Sequence, residues 1–166
     1  MSSKYETQKY SVIKTFGAIE LRHYPSVMKI QSNNNFRALF GYISGKNSDN
    51  LNIPMTTPVY MGDSSGNPVM EFVLPQSFEP ENTPQSKSEN VRVMQSKPGY
   101  FLAVTFGAFG TENRRKKFSE KVIQSARKHQ LEILGAPIFL AYNSPYKLLH
   151  RKNEMMLEVA YKSEDI

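Results

Sequence analysis

Cysteine is absent from all 166 residues, which excludes disulfide frameworks, thiolate metal ligation and cysteine nucleophiles at once. Any metal ligand must come from histidine, methionine, tyrosine or a carboxylate, and there are only three histidines. No stretch approaches the roughly 18 consecutive apolar residues that a membrane span requires. The polar start, Met1 to Gln8, leads into no apolar segment of the kind that directs export. A cytoplasmic protein with no membrane span is therefore expected. What is present suffices for a core: 39% of the residues are hydrophobic and 11% aromatic, enough for one domain without metals or cross-links. Residues 1–9 are expected as a disordered segment and 10–162 as the folded domain.

Acidic residues are outnumbered, 15 against 21 basic ones, for a net charge of +6. The excess is concentrated. Between Glu112 and Lys128 lie Arg114, Arg115, Lys116, Lys117, Lys121, Arg127 and Lys128 against Glu112 and Glu120, which is +5 in one segment. A charge excess confined to one helix reads as a solvated outer face. No helix-turn-helix, zinc finger or aromatic RNA-binding motif accompanies it, so no nucleic-acid partner is expected.

Alternation of apolar residues marks the strands. Ile19, Leu21 and His23 share one face of a strand, Glu20, Arg22 and Tyr24 the other, and Pro25 ends it. An extended stretch, Val27 to Ile30, runs into Asn33, Asn34 and Asn35, a helix N-cap cluster. Phe36, Leu39, Phe40 and Ile43 then recur at i, i+3, i+4 and i+7, the one-face pattern of an amphipathic helix closed by Gly45. Strands are expected near Met55–Met61 and Val69–Pro75, joined by a turn-rich 62–67. The polar segment 76–90, with Pro80 and Pro84, reads as a long connector. Beyond it the order returns: strands near Val91–Gln95 and Tyr100–Phe106, a helix near Thr111–Gln130, and strands near Ile138–Tyr142 and Glu154–Tyr161.

Two runs of strand, strand, helix, strand, strand imply an α+β domain of two ferredoxin-like halves, each with one helix on its sheet and a ligand cleft on the helix-free faces. In the last strand Met155, Leu157, Val159 and Tyr161 oppose Glu154, Met156, Glu158 and Ala160. If the first set lies under a helix, Glu154 faces the cleft; the alternative is that the glutamate face meets water.

Four blocks carry a resemblance: Ala18 to Pro25 (AIELRHYP), Phe36 to Gly45 (FRALFGYISG), Ile53 to Val59 (IPMTTPV) and Arg151 to Glu154 (RKNE). Together with Ala141 to Tyr146 (AYNSPY), in unbroken order from Tyr10 to Tyr161, they resemble the SOUL haem-binding protein family. The resemblance implies a distorted antiparallel barrel of two βαββ-type halves. It also implies a haem or porphyrin ligand, held for storage, delivery or sensing, with no settled reaction. The family is similar in turn to small-molecule-binding effector domains of transcription regulators.

A porphyrin needs an apolar slot for its faces and cations for its propionates. Phe36, Phe40, Met55, Met61 and Met156 are candidate wall, with ordinary core as the other reading of each. At the positions where the family places basic residues, this chain has Arg37 and Lys147, with Arg151 and Lys152 nearby. Where other members have a further basic residue this chain has Gly41, which implies a thinner clamp. His23 matches the histidine proposed as iron ligand in some members. Its place on an apolar face also suits a hydrogen-bonded structural role. His129, in the last turn of the second helix, is explained by the helix dipole, and His150 lies among charged residues.

A second function class remains open, since the wider superfamily includes hydrolases of small electrophiles with a cleft glutamate beside an aromatic residue. Glu154 with Tyr142 matches that pair, and a carboxylate in an apolar cleft would have the raised pKa of a general base. The oligomeric state is not legible.

Overall fold

The computed structural model describes residues 5–143 and 151–162. In chain order the elements are β1 (Glu6–Thr7), β2 (Ser11–Phe16), β3 (Ile19–Tyr24), β4 (Met28–Ser32) and helix α1 (Phe36–Ile43). There follow β5 (Thr56–Thr57), β6 (Val59–Ser64), β7 (Asn67–Val73), β8 (Arg92–Gln95) and β9 (Gly99–Phe106). Helix α2 (Glu112–Lys128), β10 (Ile138–Ala141) and β11 (Asn153–Val159) complete the described fold. Segment 76–90 is indeed a connector without a strand.

The chain forms an α+β structure of two compact units, but they are not the sequential halves expected. One comprises residues 1–8 and 26–97, the other 9–25 and 98–166. The hairpin β2–β3 belongs to the later unit because β3 pairs along its whole length with β9, from Ile19 opposite Val104 to Tyr24 opposite Gly99.

In the first unit the antiparallel strand order is β6-β7-β4-β8. Met28, Ile30, Met70 and Phe72 from one face of this sheet meet Leu39, Tyr42 and Ile43 of α1 in a buried core. The helix starts where expected, with the Asn35 side chain accepting from the Ala38 amide at 3.0 Å, which satisfies one of the orphan donors of the first turn. Its buried stripe differs from the periodicity reading. Leu39, Tyr42 and Ile43 face inward, whereas Phe36 and Phe40 are 48% and 49% exposed. Within segment 1–9, expected as disordered, β1 pairs in parallel with β5, and the buried Gln8 accepts from the Tyr60 hydroxyl at 2.5 Å.

In the second unit the order is β2-β3-β9-β11-β10. Among the described residues neither strand order returns on itself, so the distorted barrel implied by the resemblance is not closed. Helix α2 begins at the N-cap Thr111, whose side chain accepts from the Arg114 amide. It buries Val122, Ser125 and Ala126 and leaves Lys116, Lys117, Lys121, Arg127 and Lys128 exposed, the solvated face expected. Phe118 of α2 stacks on Phe106 of β9 at 4.2 Å. With the strand alternation, this puts Leu102, Val104, Leu21, Met155, Leu157 and Val159 on the α2 side.

Candidate functional site

Glu20, Arg22 and Tyr24 of β3, Thr105 of β9 and Glu154 of β11 all fall on the helix-free face of the second unit. Glu154 therefore lies opposite the α2 side, as the alternation of β11 allowed. Its carboxylate is fully buried and Arg22 is 2% exposed. Arg22 Nη1 donates to Glu154 Oε1 at 2.9 Å and Nη2 donates to Oε2 at 2.6 Å. Tyr142, just beyond β10, donates to Oε1 at 2.6 Å. Thr105 Oγ1 donates to Oε2 at 2.9 Å. Each carboxylate oxygen thus accepts two bonds, and the acceptor capacity of the group is filled.

The arginine is equally engaged. Its Nη1 also donates to the Tyr24 hydroxyl at 2.9 Å, its Nε donates to Glu20 at 2.9 Å, and the Tyr10 ring lies 4.0 Å from the guanidinium carbon. Electrostatics follow from this packing. Burial acts to raise the Glu154 pKa, but the hydrogen bonds and charge of Arg22, then the bonds from Tyr142 and Thr105, outweigh it and hold the group below its ordinary value. The raised pKa expected of a general base is therefore corrected: a charge-assisted bidentate partner, invisible in local sequence, reverses the effect of burial. Tyr142 and Tyr24 are pushed up, by burial first and the neighbouring carboxylate next. Arg22 stays protonated, because its bonds to Glu154 and Tyr24 overcome the burial that would lower it.

His23 points the other way. It pairs with Tyr100 in register, and the two rings pack at 4.9 Å on the α2 side of the sheet. His129 stacks on Phe16 at 3.8 Å, and one ring nitrogen lies 2.9 Å from the Ser125 carbonyl of its own helix. The Arg151 guanidinium lies over Phe109 at 4.4 Å, and Lys152 lies over Tyr142 at 4.2 Å. Lys147 and His150 fall outside the described residues. Among the described residues no group of three or more histidines and carboxylates is placed to hold a metal ion.

In the first unit the structure brings Phe36, Arg37 and Phe40 together on the outer surface of α1. The two phenylalanine rings stack at 6.0 Å, and Phe36 meets the buried Phe72 edge-on at 5.3 Å. Arg37 lines a cavity of about 230 Å³ with Asn35, Gly41, Lys46, Ser88 and Asn90 among its walls. Met55 and Met61 pack against the core of this unit, while Met156 is buried in the second. The helix-free face of the first sheet carries its own polar cluster: Lys29 Nζ and Gln31 reach Glu71 at 3.0 and 2.7 Å, with Tyr60 beneath the ammonium at 3.6 Å.

Sequence reasoning singled out Glu154 and Tyr142 but assigned no role to Arg22, Tyr24, Tyr10, Thr105 or Lys46. For Arg22 and Tyr24 a signal existed, the second face of the β3 alternation. Tyr10, Thr105 and Lys46 are placed by register and loop geometry that local patterns do not carry.

The model of a family described as SOUL heme-binding protein matches residues 5–158. No curated protein sequence matches the chain. Among solved structures, the EcmrR C-terminal domain aligns with a TM-score of 0.61 at 9% identity, covering 92% of this chain and 99% of that one. A hydrolase from Listeria innocua aligns with a TM-score of 0.60 at 10% identity, covering 86% and 91%. EcmrR in a complex with DNA gives 0.62 at 9% identity over 87% of this chain and 57% of that one. At such identities the likeness is one of fold. No helix among the described residues is long and apolar enough to cross a membrane.

Proposed function

Because the chain belongs to the SOUL heme-binding protein family, we propose that it binds haem or a related tetrapyrrole, for storage, delivery or sensing, with no reaction of its own. The outer surface of α1 carries the reading. Two phenylalanines that helical periodicity assigns to a buried face stand half exposed and stacked, with Arg37 next to them on the helix. An exposed aromatic pair beside a cation suits a flat apolar ligand bearing carboxylates. Bound haem would bring an iron centre capable of redox change and small-ligand binding, tuned by what surrounds it. On this reading Phe36 and Phe40 supply apolar support, Arg37 holds a propionate, and Met55, packed against the core of the same unit, is a further contact. His23, at the position of the histidine proposed as iron ligand in some family members, packs on the Tyr100 ring in the second unit.

Titration with haemin tests the proposal directly. A shifted Soret band saturating near one haemin per chain is the expected result. A spectrum that remains that of free haemin at tens of micromolar protein would sink it.

A second reading, hydrolysis of small electrophiles, draws support from the 2.6 Å bond between Tyr142 and Glu154 and from the hydrolase among the fold neighbours. It ranks lower because Arg22 holds the carboxylate in its ionised, fully hydrogen-bonded form.

A further inference from the structure

The chain leaving α1 is held in one path. Asn47 is fully buried; its Nδ2 donates to the Tyr42 and Leu51 carbonyls at 2.8 and 2.9 Å, and its Oδ1 accepts from the Leu51 amide at 3.0 Å. One residue earlier, the Lys46 amide donates to the Gly41 carbonyl at 3.0 Å. Lys46 therefore projects from a fixed backbone position, and its side chain turns back along the helix. A Cβ added to Gly41 would lie 3.3 Å from Lys46 Cδ, so the lysine stem covers the space that a side chain at position 41 would enter. An apolar stem lying on the helix with its ammonium beyond is the usual habit of lysine.

Arg37 lies four residues before Gly41, on the same strip of the helix. The strip carrying Phe36 and Phe40 is its immediate neighbour. Arg37 and Lys46 both line the 230 Å³ cavity, where no carboxylate is among the described lining residues, and neither cation forms an ion pair with a described residue. Asn35, Ser88 and Asn90 add amide and hydroxyl groups to its walls. Two cations without a described counter-ion, beside neutral polar residues, suit an anion. The cavity is smaller than the roughly 300–1,000 Å³ of pockets that enclose whole organic ligands. It suits one carboxylate arm, with the body of the ligand outside it.

We infer that Lys46, reaching over Gly41, forms with Arg37 a clamp for a carboxylate arm of a ring seated on Phe36 and Phe40. This rests on the tetrapyrrole reading above and adds a residue to it, Lys46, whose stem lies over Gly41. The chain thereby discriminates ring acids from ring esters.

The test compares protoporphyrin IX with its dimethyl ester by fluorescence titration, using the wild type, Lys46→Ala and the double variant Lys46→Ala/Gly41→Lys. Loss of a charge-assisted contact predicts about tenfold or greater weakening of the free acid in Lys46→Ala. Ester affinity should stay within about twofold of wild type, a change too small for a lost ionic contact. The double variant, with its cation moved to position 41, should recover most of the loss, while equal thermal midpoints confirm an intact fold. Unchanged free-acid binding in Lys46→Ala, equal losses for acid and ester, or no recovery in the double variant overturns the clamp alone. A wild type that binds neither porphyrin overturns the tetrapyrrole reading, and the clamp with it.

Discussion

Arg22 and Glu154, 132 residues apart in sequence, meet in a bidentate contact of 2.9 and 2.6 Å with both side chains buried. The pair ties β3 to β11 across β9 within the second unit. Taking two charges out of water is costly, and the further bonds from Tyr142, Thr105 and Tyr24 complete the compensation. Such a pair is a place where removing one member does more harm than its net contribution suggests, because the survivor remains buried and charged.

Arg22→Ala is therefore expected to destabilise the chain by about 3–5 kcal/mol, the range for breaking a buried ion pair. Urea unfolding measures it. The double variant Arg22→Met/Glu154→Leu should lose less than Arg22→Ala, since it leaves no orphan charge. A double variant as unstable as the sum of both single changes would contradict this account.

The same pair predicts an acid response. Glu154 has a folded pKa below its ordinary value of 4.5, so its contribution is complete above that value and is lost as pH falls through the depressed folded value. Wild-type stability should decline on acidification across this range, and Glu154→Gln should flatten that part of the profile while starting from a lower plateau. Parallel pH profiles for the two proteins would show that the carboxylate is not the linked group.

Burial on β3 explains what was legible in the sequence and what was not. The alternation correctly separated Leu21 and His23 from Arg22 and Tyr24, but a strand face with Glu and Arg ordinarily meets water. Only a partner from the far end of the chain makes that face internal. Helix α1 shows the converse: the spacing of Phe36, Leu39, Phe40 and Ile43 located the helix, yet Tyr42 took the place of the phenylalanines in the buried stripe. Its hydroxyl can donate to the Pro84 carbonyl at 2.5 Å, so the ring is buried with its polar end satisfied. Strand β2 went unseen because it is largely exposed and so lacks the one-sided pattern that betrays a strand. The α+β class and most element positions followed from local periodicity. The exchange of β2–β3 into the later unit is a matter of long-range pairing.

The exposed aromatic pair should govern ligand affinity and leave folding nearly untouched. Replacing both residues in Phe36→Ala/Phe40→Ala is expected to weaken haemin binding by about tenfold or more, since stacked aromatic contact typically contributes about 0.5–1.5 kcal/mol per ring beyond burial. Phe40→Ala alone should change unfolding free energy by no more than about 1 kcal/mol, as for an exposed position. Haemin affinity that survives the double change would place the ligand elsewhere.

His23→Ala separates iron ligation from packing. With its ring against Tyr100 on the α2 side, His23 is expected to contribute to stability and to leave the Soret maximum and spin state of bound haem unchanged. A moved Soret band with unaltered affinity for iron-free porphyrin would instead identify His23 as the axial ligand.

The last prediction concerns catalysis at Glu154 and Tyr142. A general base needs a lone pair directed at substrate and a pKa near the working pH. Here both carboxylate oxygens are occupied by Arg22, Tyr142 and Thr105, and the pKa is lowered. The wild type should therefore show no turnover of small esters, lactones or strained electrophiles at neutral pH. Arg22→Met offers a sharper comparison, because it removes the charge that holds the carboxylate down and frees one acceptor position on each oxygen. If that variant folds and acquires hydrolysis with an acidic limb above the usual carboxylate range, the pair with Tyr142 is a latent catalytic arrangement that Arg22 suppresses. Turnover already present in the wild type, and abolished by Glu154→Gln with haemin affinity intact, would displace ligand binding as the leading function and make this buried cluster the active site.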